Sequence, residues 1–284
     1  MGLIRDTASW SRATPEIPDL EAYATYFNKR LPGAKVTETE TPIGWIIRTG
    51  SDDFATRMPG QAFKPAYRHA KMVMFPLESG DFLVVHAMLT GRFQYVEPKE
   101  KKPKMLAWTV RLNNGMEIRY FDERRMGRTF ITRPEKFAKD LPRWTEMGPD
   151  VMSEELDEDR FVAIMLKQRG MIKNLITNER TIAGIGNAYS DEVLWEAQLH
   201  PFRKRTDIPE EGLRRLFRGI RDTMNWATPI VTELTEEKGL PAKTYRDHLR
   251  VHKRGGEECP RCGHRITSFT SGGNETNFCR GCQE

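Results

Sequence analysis

The stretch Thr181–Phe202, TIAGIGNAYSDEVLWEAQLHPF, decides how the C-terminal half of the chain folds. Gly184 and Gly186 bracket a turn that favours residues without a Cβ atom. Ser190 and the Asp-Glu pair after it are typical of the cap and first turn of a helix. A glycine turn that leads into a helix leaves backbone N–H groups pointing outward, so it is suited to bind an anion. A G-x-G turn also occurs in ordinary helical cores, and this pattern alone leaves a plain helix-turn-helix open.

All four cysteines lie in the last 26 residues, as two C-x-x-C pairs. Cys259 and Cys262 form the first pair, and Cys279 and Cys282 form the second, with sixteen residues between the inner cysteines. Two such knuckles can bring four thiolates tetrahedrally onto one Zn²⁺, and their clustering favours a metal over disulfides. A closed Cys₄ site has no open coordination position, so we expect one structural zinc that holds the hairpin Ile266–Phe278.

The segment from Val36 to Thr132 consists of short apolar alternations separated by turns. Because several strands follow one another without a helix between them, the pattern predicts an antiparallel sandwich or barrel. The predicted hairpin turns are Glu78–Asp81 and Asn113–Gly115. The predicted strands are Ile43–Arg48, Met72–Leu77, Phe82–Met88, Ala107–Leu112 and Met116–Phe121.

Helices are predicted on both sides of this segment. An amphipathic helix begins near Leu20 and ends before the Pro-Gly pair at 32–33. Ser153 is predicted to cap a second helix, and Pro209 to open a third. Thr235–Arg254 is polar and basic, and we interpret it as a loop and linker. The apolar positions are Leu20, Tyr23, Ala24, Phe27 and Leu31 in the first helix, Phe161, Ile164 and Met165 in the second, and Leu213, Leu216, Phe217, Ile220, Met224 and Ala227 in the third.

Length and composition exclude few classes of protein. A chain of 284 residues can form two domains with a small third module. The 45 basic and 40 acidic residues give a net charge of +5, a mild excess that does not by itself identify a nucleic-acid partner. A mean hydropathy of -0.63 and the lack of an apolar run near 18 residues argue against a membrane span.

Four motifs together resemble the formamidopyrimidine-DNA glycosylase and endonuclease VIII family. PEIPDLEAY, which starts at Pro15, resembles the family's mature N-terminus, and GIGNAYSDEVL followed by HP resembles its helix-two-turns-helix motif. The β-rich half and the zinc hairpin complete the family's order, and the resemblance runs to Gln283. It implies an α+β multidomain protein with an N-terminal antiparallel β-sandwich, a helical helix-two-turns-helix domain and a C-terminal zinc-finger hairpin. The expected boundaries are an extension at 1–14, the catalytic sandwich at 15–145, the helical DNA-binding domain at 146–250 and the zinc finger at 251–284.

The resemblance implies a DNA repair glycosylase with abasic-site lyase activity on oxidised or ring-opened bases. Its partner would be double-stranded DNA, bent in a cleft between the halves so that the damaged nucleotide is extruded. The protein would act as a monomer, in the cytoplasm on a bacterial nucleoid, with no membrane partner. Pro15 would attack C1′ of the nucleotide, and Glu16 would protonate the sugar ring oxygen. Lys71, in YRHAKMVMF, would contact phosphate and assist base removal.

The proline amine suits this chemistry, but its chain context does not. An α-amino group is about one-sixth neutral at pH 7, whereas an ordinary lysine is almost entirely charged. In this sequence, however, the nitrogen of Pro15 is an amide joined to Thr14 and cannot be a nucleophile. A start at codon 14, removal of the first fourteen residues and loss of the lyase activity all stay open. We favour a start at codon 14 because the resemblance begins sharply at Pro15.

Residues that contact DNA are also implied for the β-rich half. His86, in HAMLTG, would contact a phosphate. Leu89, Arg124 and Met126 would fill the hole that the flipped base leaves in the stack. The oxidised-purine branch of the family usually has Met, Arg and Phe at these three positions. The lesion and the opposite base therefore stay open.

In the C-terminal half, Asn187 would hold a phosphate, and Arg169 and Lys173 lie where the family places basic contacts. Solvated helix ends would explain these two basic residues equally well. The zinc hairpin departs from the family, which typically has G-G-R-S-T where this chain has GGNET at 272–276. Asn274 cannot bind phosphate as a forked cation, and Glu275 adds repulsion. We therefore expect weak product binding and a lyase that tends to stop after β-elimination.

Two other functions stay open. The chain could be a non-catalytic protein of the same fold that binds damaged DNA or abasic sites. It could also be a zinc-ribbon protein that binds nucleic acid without preference for a lesion. Taken without the resemblance, Pro15 reads as a helix lead-in, Lys71 as a surface lysine and His86 as a core residue.

Overall fold

The computed structural model of the chain describes residues 14–240 and 243–284. All but the last residue of the predicted extension 1–14 therefore lie outside the described residues. The chain forms two compact units. The first contains residues up to Thr145 together with Thr228–Tyr245, and the second contains Glu146–Ala227 and Arg246–Glu284.

The first unit is a sandwich of two antiparallel four-stranded sheets, with strand orders β1-β6-β7-β5 and β2-β3-β4-β8. The prediction of an antiparallel sandwich is confirmed. Its strands are β1 (Val36–Glu40), β2 (Tyr67–His69), β3 (Met72–Pro76), β4 (Phe82–His86), β5 (Gly91–Val96), β6 (Leu106–Leu112), β7 (Glu117–Asp122) and β8 (Arg128–Thr132). Its helices are α1 (Ile17–Asn28), α2 (Ser51–Arg57) and α3 (Phe137–Asp140), with 3-10 turns at Gly44–Ile46 and Pro134–Lys136.

Aromatic side chains fill the core of this unit. Phe93 on β5 is 1% exposed. Its ring centroid lies 5.3 to 6.1 Å from five other rings, mostly in edge-to-face geometry. Edge-to-face pairs let the positive rim of one ring meet the negative face of another, so the cluster is stabilised beyond simple burial. Its members are Tyr23 and Phe27 from α1, Phe75 from β3, Trp108 from β6 and Tyr120 from β7.

The predicted strand Ile43–Arg48 is wrong, because this segment forms the 3-10 turn Gly44–Ile46. Ile46 and Ile47 are both buried, whereas a strand would place neighbouring side chains on opposite faces. Trp45 is 56% exposed. The prediction also omitted β1, β2, β5 and β8, since strands with polar residues on one face resemble loops in sequence.

The second unit contains the remaining helices and the zinc hairpin. The helix α7 contributes to both units, and Pro229 lies inside it beside the division at residues 227–228. No helix among residues 14–240 and 243–284 combines the length and apolar character needed to cross a membrane. The elements are α4 (Glu158–Leu166), α5 (Ile172–Ile176), α6 (Asn187–Glu196), a 3-10 turn (Arg205–Asp207), α7 (Glu210–Lys238), β9 (Ile266–Ser271) and β10 (Asn274–Cys279).

Three predicted boundaries in this part of the chain are wrong. Asp157, not Ser153, caps α4, since its carboxylate accepts the N–H of Arg160. The helix α6 starts at Asn187 after the N-cap Gly186, so Ser190 and the two acids after it lie inside the helix. The predicted loop from residue 235 is also wrong at its start, because α7 continues to residue 238.

Candidate active site and nucleic-acid interface

Pro15 and Glu16 lie at the entry of α1, and both are buried. Glu16 is the N-cap residue, and its carboxylate accepts the backbone N–H of Asp19. The carboxylate of Asp19 in turn accepts the backbone N–H of Glu16 at 2.8 Å. This reciprocal capping box fixes the direction in which the chain enters the helix. Pro15 and Glu16 are therefore positioned by the start of α1.

Lys71 lies in the two-residue turn that joins β2 to β3. Ala70 occupies the other turn position with a φ of 52°, a left-handed conformation that few residues other than glycine adopt. The buried guanidinium of Arg68 donates to Glu21 on α1 at 2.7 Å and to the carbonyl of Ala70 at 3.0 Å. One arginine thus ties the hairpin tip that carries Lys71 to the helix that follows Glu16.

His86 ends β4, where it pairs with Arg128 across the sheet. Its Nδ1 accepts the backbone N–H of Met88 at 3.1 Å. A neutral histidine whose Nδ1 accepts a hydrogen bond carries its proton on Nε2. The ring therefore presents a donor of the kind that a phosphate oxygen accepts.

Leu89 lies in the β4–β5 loop, and Arg124 and Met126 lie in the β7–β8 loop; we call these two segments the wedge loops. Leu89 is half-buried, Arg124 is exposed, and Met126 is 38% exposed. Each loop contains a left-handed residue next to a predicted site residue, Met88 with a φ of 50° and Arg125 with a φ of 54°. Such strained conformations persist only where surrounding contacts hold them.

A single buried carboxylate, Asp122, joins the two wedge loops. It accepts the hydroxyl of Thr90 from the first loop. It also accepts the backbone N–H groups of Arg124 at 3.1 Å and Gly127 at 2.5 Å from the second. The Thr90 hydroxyl closes the network by accepting the same Arg124 N–H at 3.1 Å. No motif in the sequence identifies Asp122, whose one signal is a charge at the end of a strand.

The start of β5, directly after the first wedge loop, meets the second wedge loop at the hydroxyl of Tyr120, which has no hydrogen-bond partner among the described residues. Burial raises the pKa of Tyr120 well above its ordinary value. A Cβ atom added at either Gly91 or Gly127 would overlap this hydroxyl, and at Gly91 it would also lie 2.6 Å from the carbonyl oxygen of Ala87. The close approach of the two loops therefore requires glycine at both positions.

In the second unit, Asn187 is the first residue of α6. Its Nδ2 donates to the carbonyl of Glu275 on β10 at 2.9 Å. Gly184 has a φ of 117°, which favours glycine, whereas Gly186 has an extended conformation that other residues can adopt. The helix start and the zinc hairpin thus meet at Asn187.

Lys173 is only 6% exposed, so its interpretation as a solvated helix end is wrong. Its ammonium contacts Asp191 at 2.5 Å and the hydroxyl of Thr276 at 2.9 Å. The second oxygen of Asp191 lies 2.7 Å from Nδ1 of His252 and accepts the backbone N–H of Asn277 at 3.0 Å. Asp191 therefore links α5, α6, β10 and the segment before the zinc module.

Glu192 extends this network to residues 250–252, which lie in the described part of the predicted loop beyond the end of α7. Its buried carboxylate accepts three successive backbone N–H groups at residues 250–252, each at 2.8 to 2.9 Å. Burial raises the pKa of Glu192, and the three N–H donors oppose that effect. The guanidinium of Arg250 lies 3.8 Å from the ring centroid of Trp226 and 5.3 Å from that of Trp195. The segment is therefore pinned to α6.

The four cysteine Sγ atoms lie within 4.8 Å of one another. Three Sγ–Sγ distances of 3.1, 3.4 and 3.7 Å approach the roughly 3.8 Å separation that tetrahedral Zn–S bonds of about 2.3 Å require. The indole of Trp195 donates to the Sγ of Cys259 at 3.3 Å. Burial raises the pKa of Cys259, but the N–H groups of Arg261, Trp195 and Cys262 outweigh it and bring it to about 6. The prediction of one structural zinc is confirmed.

The remaining predicted contacts lie at the surface. Asn274 is exposed at the start of β10. Arg169 is exposed between α4 and α5, where it lines an open pocket of about 740 Å³. Lys167, Lys204 and Arg205 line the same pocket, so its wall is strongly basic.

Three family models match successive parts of the chain. They are the formamidopyrimidine-DNA glycosylase N-terminal domain at residues 14–129, the formamidopyrimidine-DNA glycosylase H2TH domain at 147–236 and a zinc finger found in FPG and IleRS at 256–284. The formamidopyrimidine-DNA glycosylase of Pelotomaculum thermopropionicum is 30% identical over 277 residues, which cover 95% of this chain and 99% of the relative. That of Desulforamulus reducens is 29% identical over 279 residues, with the same coverage.

Solved structures of Lactococcus lactis Fpg share the fold. A complex with DNA containing an abasic site has a TM-score of 0.86 at 24% identity, over 95% of this chain and all of that one. A complex with DNA containing an oxidised pyrimidine has a TM-score of 0.85 at 25% identity, with the same coverage.

The contact between the wedge loops can be tested through Gly127. We expect Gly127→Ala to lower the free energy of unfolding by about 1–3 kcal/mol, because its Cβ would overlap the Tyr120 hydroxyl. In a Tyr120→Phe background the same change should cost less. Gly44→Ala is the matched control, since its Cβ would meet Ser51 at an ordinary 3.4 Å. Equal urea denaturation midpoints for the Gly127 and Gly44 variants would contradict this account.

Zinc content tests the metal site. We expect one zinc per chain, and none in Cys262→Ser, because three thiolates leave the tetrahedral site incomplete. His264→Asn should keep its zinc, since the histidine does not belong to the cluster of ligand atoms. The zinc content of the unmodified protein and of each variant is measured by releasing the metal into a chromogenic chelator. Loss of zinc from the His264 variant would show that the ligand set is not the four cysteines.

Proposed function

The chain belongs to the formamidopyrimidine-DNA glycosylase family, and from this membership we propose that it excises oxidised or ring-opened bases from double-stranded DNA and cleaves the abasic site that results. The observation that carries the proposal is the shared support of two predicted catalytic groups. Glu16 caps α1, and Arg68 ties the Lys71 hairpin to Glu21 of the same helix. Chemistry that joins an amine, a carboxyl group and a phosphate contact requires such fixed support.

In the proposed reaction the amine of Pro15 forms a bond to C1′ of the damaged nucleotide and gives up its proton, while the base departs with the electrons of its bond to C1′ and takes up a proton. Glu16 donates a proton to the ring oxygen, so that the sugar opens and an iminium ion forms. This cation accepts the electrons released when a proton leaves C2′, and the C3′–O bond then breaks in β-elimination. Lys71 contacts a phosphate and assists departure of the base.

The reaction requires that the nitrogen of Pro15 be an amine and not the amide to Thr14. We propose that the active form begins at Pro15, through a start at codon 14 whose initiating residue is removed. Because the capping box lies wholly within residues 16–19, a chain that begins at Pro15 keeps the contacts that orient Glu16.

The wedge loops are proposed to act during base flipping. Leu89, Arg124 and Met126 would enter the hole left by the extruded nucleotide. The Asp122 network supports this role, because it fixes the separation of the two loops that must enter one gap. His86 would donate from Nε2 to a nearby phosphate.

The second unit is proposed to bind the DNA backbone. Asn187 and the N-terminus of α6 offer N–H donors for a phosphate. Arg169 would add a long-range attraction through its basic surroundings. The ammonium of Lys173 would act mainly by holding Asp191 and β10 in place, because it is buried in an ion pair. We further propose that the protein acts as a monomer in the cytoplasm, on the bacterial nucleoid.

The second candidate function is a non-catalytic protein that binds damaged DNA or abasic sites. The amide bond at Pro15 favours this alternative if the chain is used from residue 1. Both functions require the wedge loops and Asn187, so DNA affinity does not separate them.

Covalent trapping distinguishes the two functions. An oligonucleotide with one abasic site is treated with sodium borohydride in the presence of the chain as written or of a chain that begins at Pro15. We expect a trapped complex only with the Pro15 start, because only that chain has a proline amine.

Two variants of the Pro15 form refine the test. On an oligonucleotide that carries a ring-opened base in place of the abasic site, Glu16→Gln should slow base release by at least about 100-fold, because protonation of the ring oxygen by a general acid accompanies departure of the base. Lys99→Ala, a change at an exposed lysine paired with Glu97, should leave trapping unchanged. Binding without trapping by both chain forms would favour the non-catalytic protein, and trapping by both would move the nucleophile away from Pro15.

The product distribution tests the role proposed for the zinc hairpin. We expect the Pro15 form to yield mainly β-elimination product, because Asn274 lacks the charge to hold the second phosphate. Asn274→Arg should raise the share of δ-elimination product and tighten product binding. Denaturing gels at saturating enzyme separate the cleaved DNA strands left by β-elimination from those left by δ-elimination. Dominant δ-product from the unmodified Asn274 chain would contradict the proposed role.

A further inference from the structure

Trp45 is the most exposed large apolar side chain in the described part of the protein, at 56%. It projects from the 3-10 turn Gly44–Ile46, and the next two residues, Ile46 and Ile47, are buried. Ile47 forms a bridge to Thr129, and the N–H of Arg48 donates to the carbonyl of Thr129 at 2.8 Å. The indole is therefore carried on a turn fixed to β8, the strand that follows the second wedge loop.

The indole lies beside Arg125, a wedge-loop residue that is not among the three side chains proposed to fill the gap. The guanidinium of Arg125 is 5.6 Å from the ring centroid of Trp45, within range of a cation–π contact. Its Nε and Nη2 lie 3.1 and 2.9 Å from the Sδ of Met105. Arg125 and Met105 both have left-handed backbones, with φ values of 54° and 57°. Two strained residues in contact persist only where the surrounding structure holds them, so the position of Arg125 beside the indole is fixed.

Several arginines lie on the segments that carry Trp45 and its partner Arg125. Arg124 and Arg125 are exposed in the wedge loop, and Arg48 is exposed beyond the turn. Arg48 and Arg128 line a pocket of about 300 Å³ in the same unit, together with the carboxylate of Asp140. Glu123 is the one exposed acid of the β7–β8 loop. An exposed indole beside the guanidinium group of Arg125 matches the chemistry of a nucleotide, whose base or sugar packs on the ring while its phosphate pairs with the cation.

We propose that Trp45 and Arg125 form a second DNA contact, between the 3-10 turn Gly44–Ile46 and the second wedge loop. The indole packs against a nucleotide that flanks the extruded one, and the guanidinium of Arg125 pairs with a phosphate of that nucleotide. This inference rests on the proposed function and extends it, because neither residue belongs to the three side chains that fill the gap. The protein would then contact the distorted duplex at a nucleotide beside the extruded one as well as in the hole that the extruded nucleotide leaves.

Binding to a duplex that carries a tetrahydrofuran abasic analogue tests the contact, measured by fluorescence anisotropy over a range of salt concentrations. We expect Trp45→Ala to weaken binding about 10-fold or more without changing the salt dependence, because stacking involves no phosphate. Trp45→Phe should recover most of the affinity. Arg125→Ala should reduce the slope of log K against log salt by about one, as expected for one lost phosphate contact. Lys99→Ala is the control for the loss of an exposed positive charge.

A second readout locates the nucleotide. 2-Aminopurine is placed in turn at each position that flanks the analogue, and its fluorescence is compared between the unmodified protein and Trp45→Ala. Stacking on the indole should quench one flanking position only in the protein that has Trp45. Thermal unfolding should be unchanged in Trp45→Ala, since the side chain is mostly exposed.

The outcomes separate this inference from the proposed function. If Trp45→Ala binds as tightly as the unmodified protein while borohydride trapping by the Pro15 form persists, the contact does not exist and the function stands. If Lys99→Ala weakens binding as much as Arg125→Ala, the effect is general charge and the inference is overturned. If the unmodified protein does not distinguish the abasic duplex from an undamaged one, the proposed function fails with it.

Discussion

The second unit depends on the buried ion pair between Lys173 and Asp191. Two charges removed from water must satisfy each other, and removal of one partner from such a pair typically costs about 3–5 kcal/mol. Here the carboxylate also engages His252 and the backbone of β10. Elements far apart in the chain therefore share one electrostatic centre. The positions of Asn187 and of the zinc hairpin follow from it, because Asn187 bonds to the strand that this centre holds.

The first unit uses buried carboxylates in the same way. Asp122 joins the wedge loops, and the capping carboxylates of Glu16 and Asp19 direct the chain into α1. Each of these acids accepts backbone N–H groups, which are rigid donors with a fixed direction. The parts of the molecule that we propose to contact DNA are therefore held by hydrogen bonds to the main chain.

Much of this architecture follows from local sequence pattern. The spacing within each C-x-x-C pair predicts the zinc site, and the alternation of apolar and polar residues between turns predicts the sandwich. Each of these signals is local, because it is carried by residues that are close to one another in the chain. What local pattern missed depends on partners distant in the chain. Asp191 and Glu192 are acids near a predicted helix start, yet they are buried by segments about 60 residues later. Trp45 lies in a run that suggests a strand, and contacts with β6 and β8 hold it as a turn.

The packing of Tyr120 against Gly91 and Gly127 has an evolutionary consequence. A larger residue at either glycine meets the tyrosine hydroxyl, so neither position is free to change while the tyrosine is present. Loss of the hydroxyl forfeits no hydrogen bond among the described residues. Substitutions in a descendant lineage therefore have a preferred order. Tyr120 changes first, and Gly127 can change after it. Gly91 stays fixed longest, because the carbonyl of Ala87 also occupies its space.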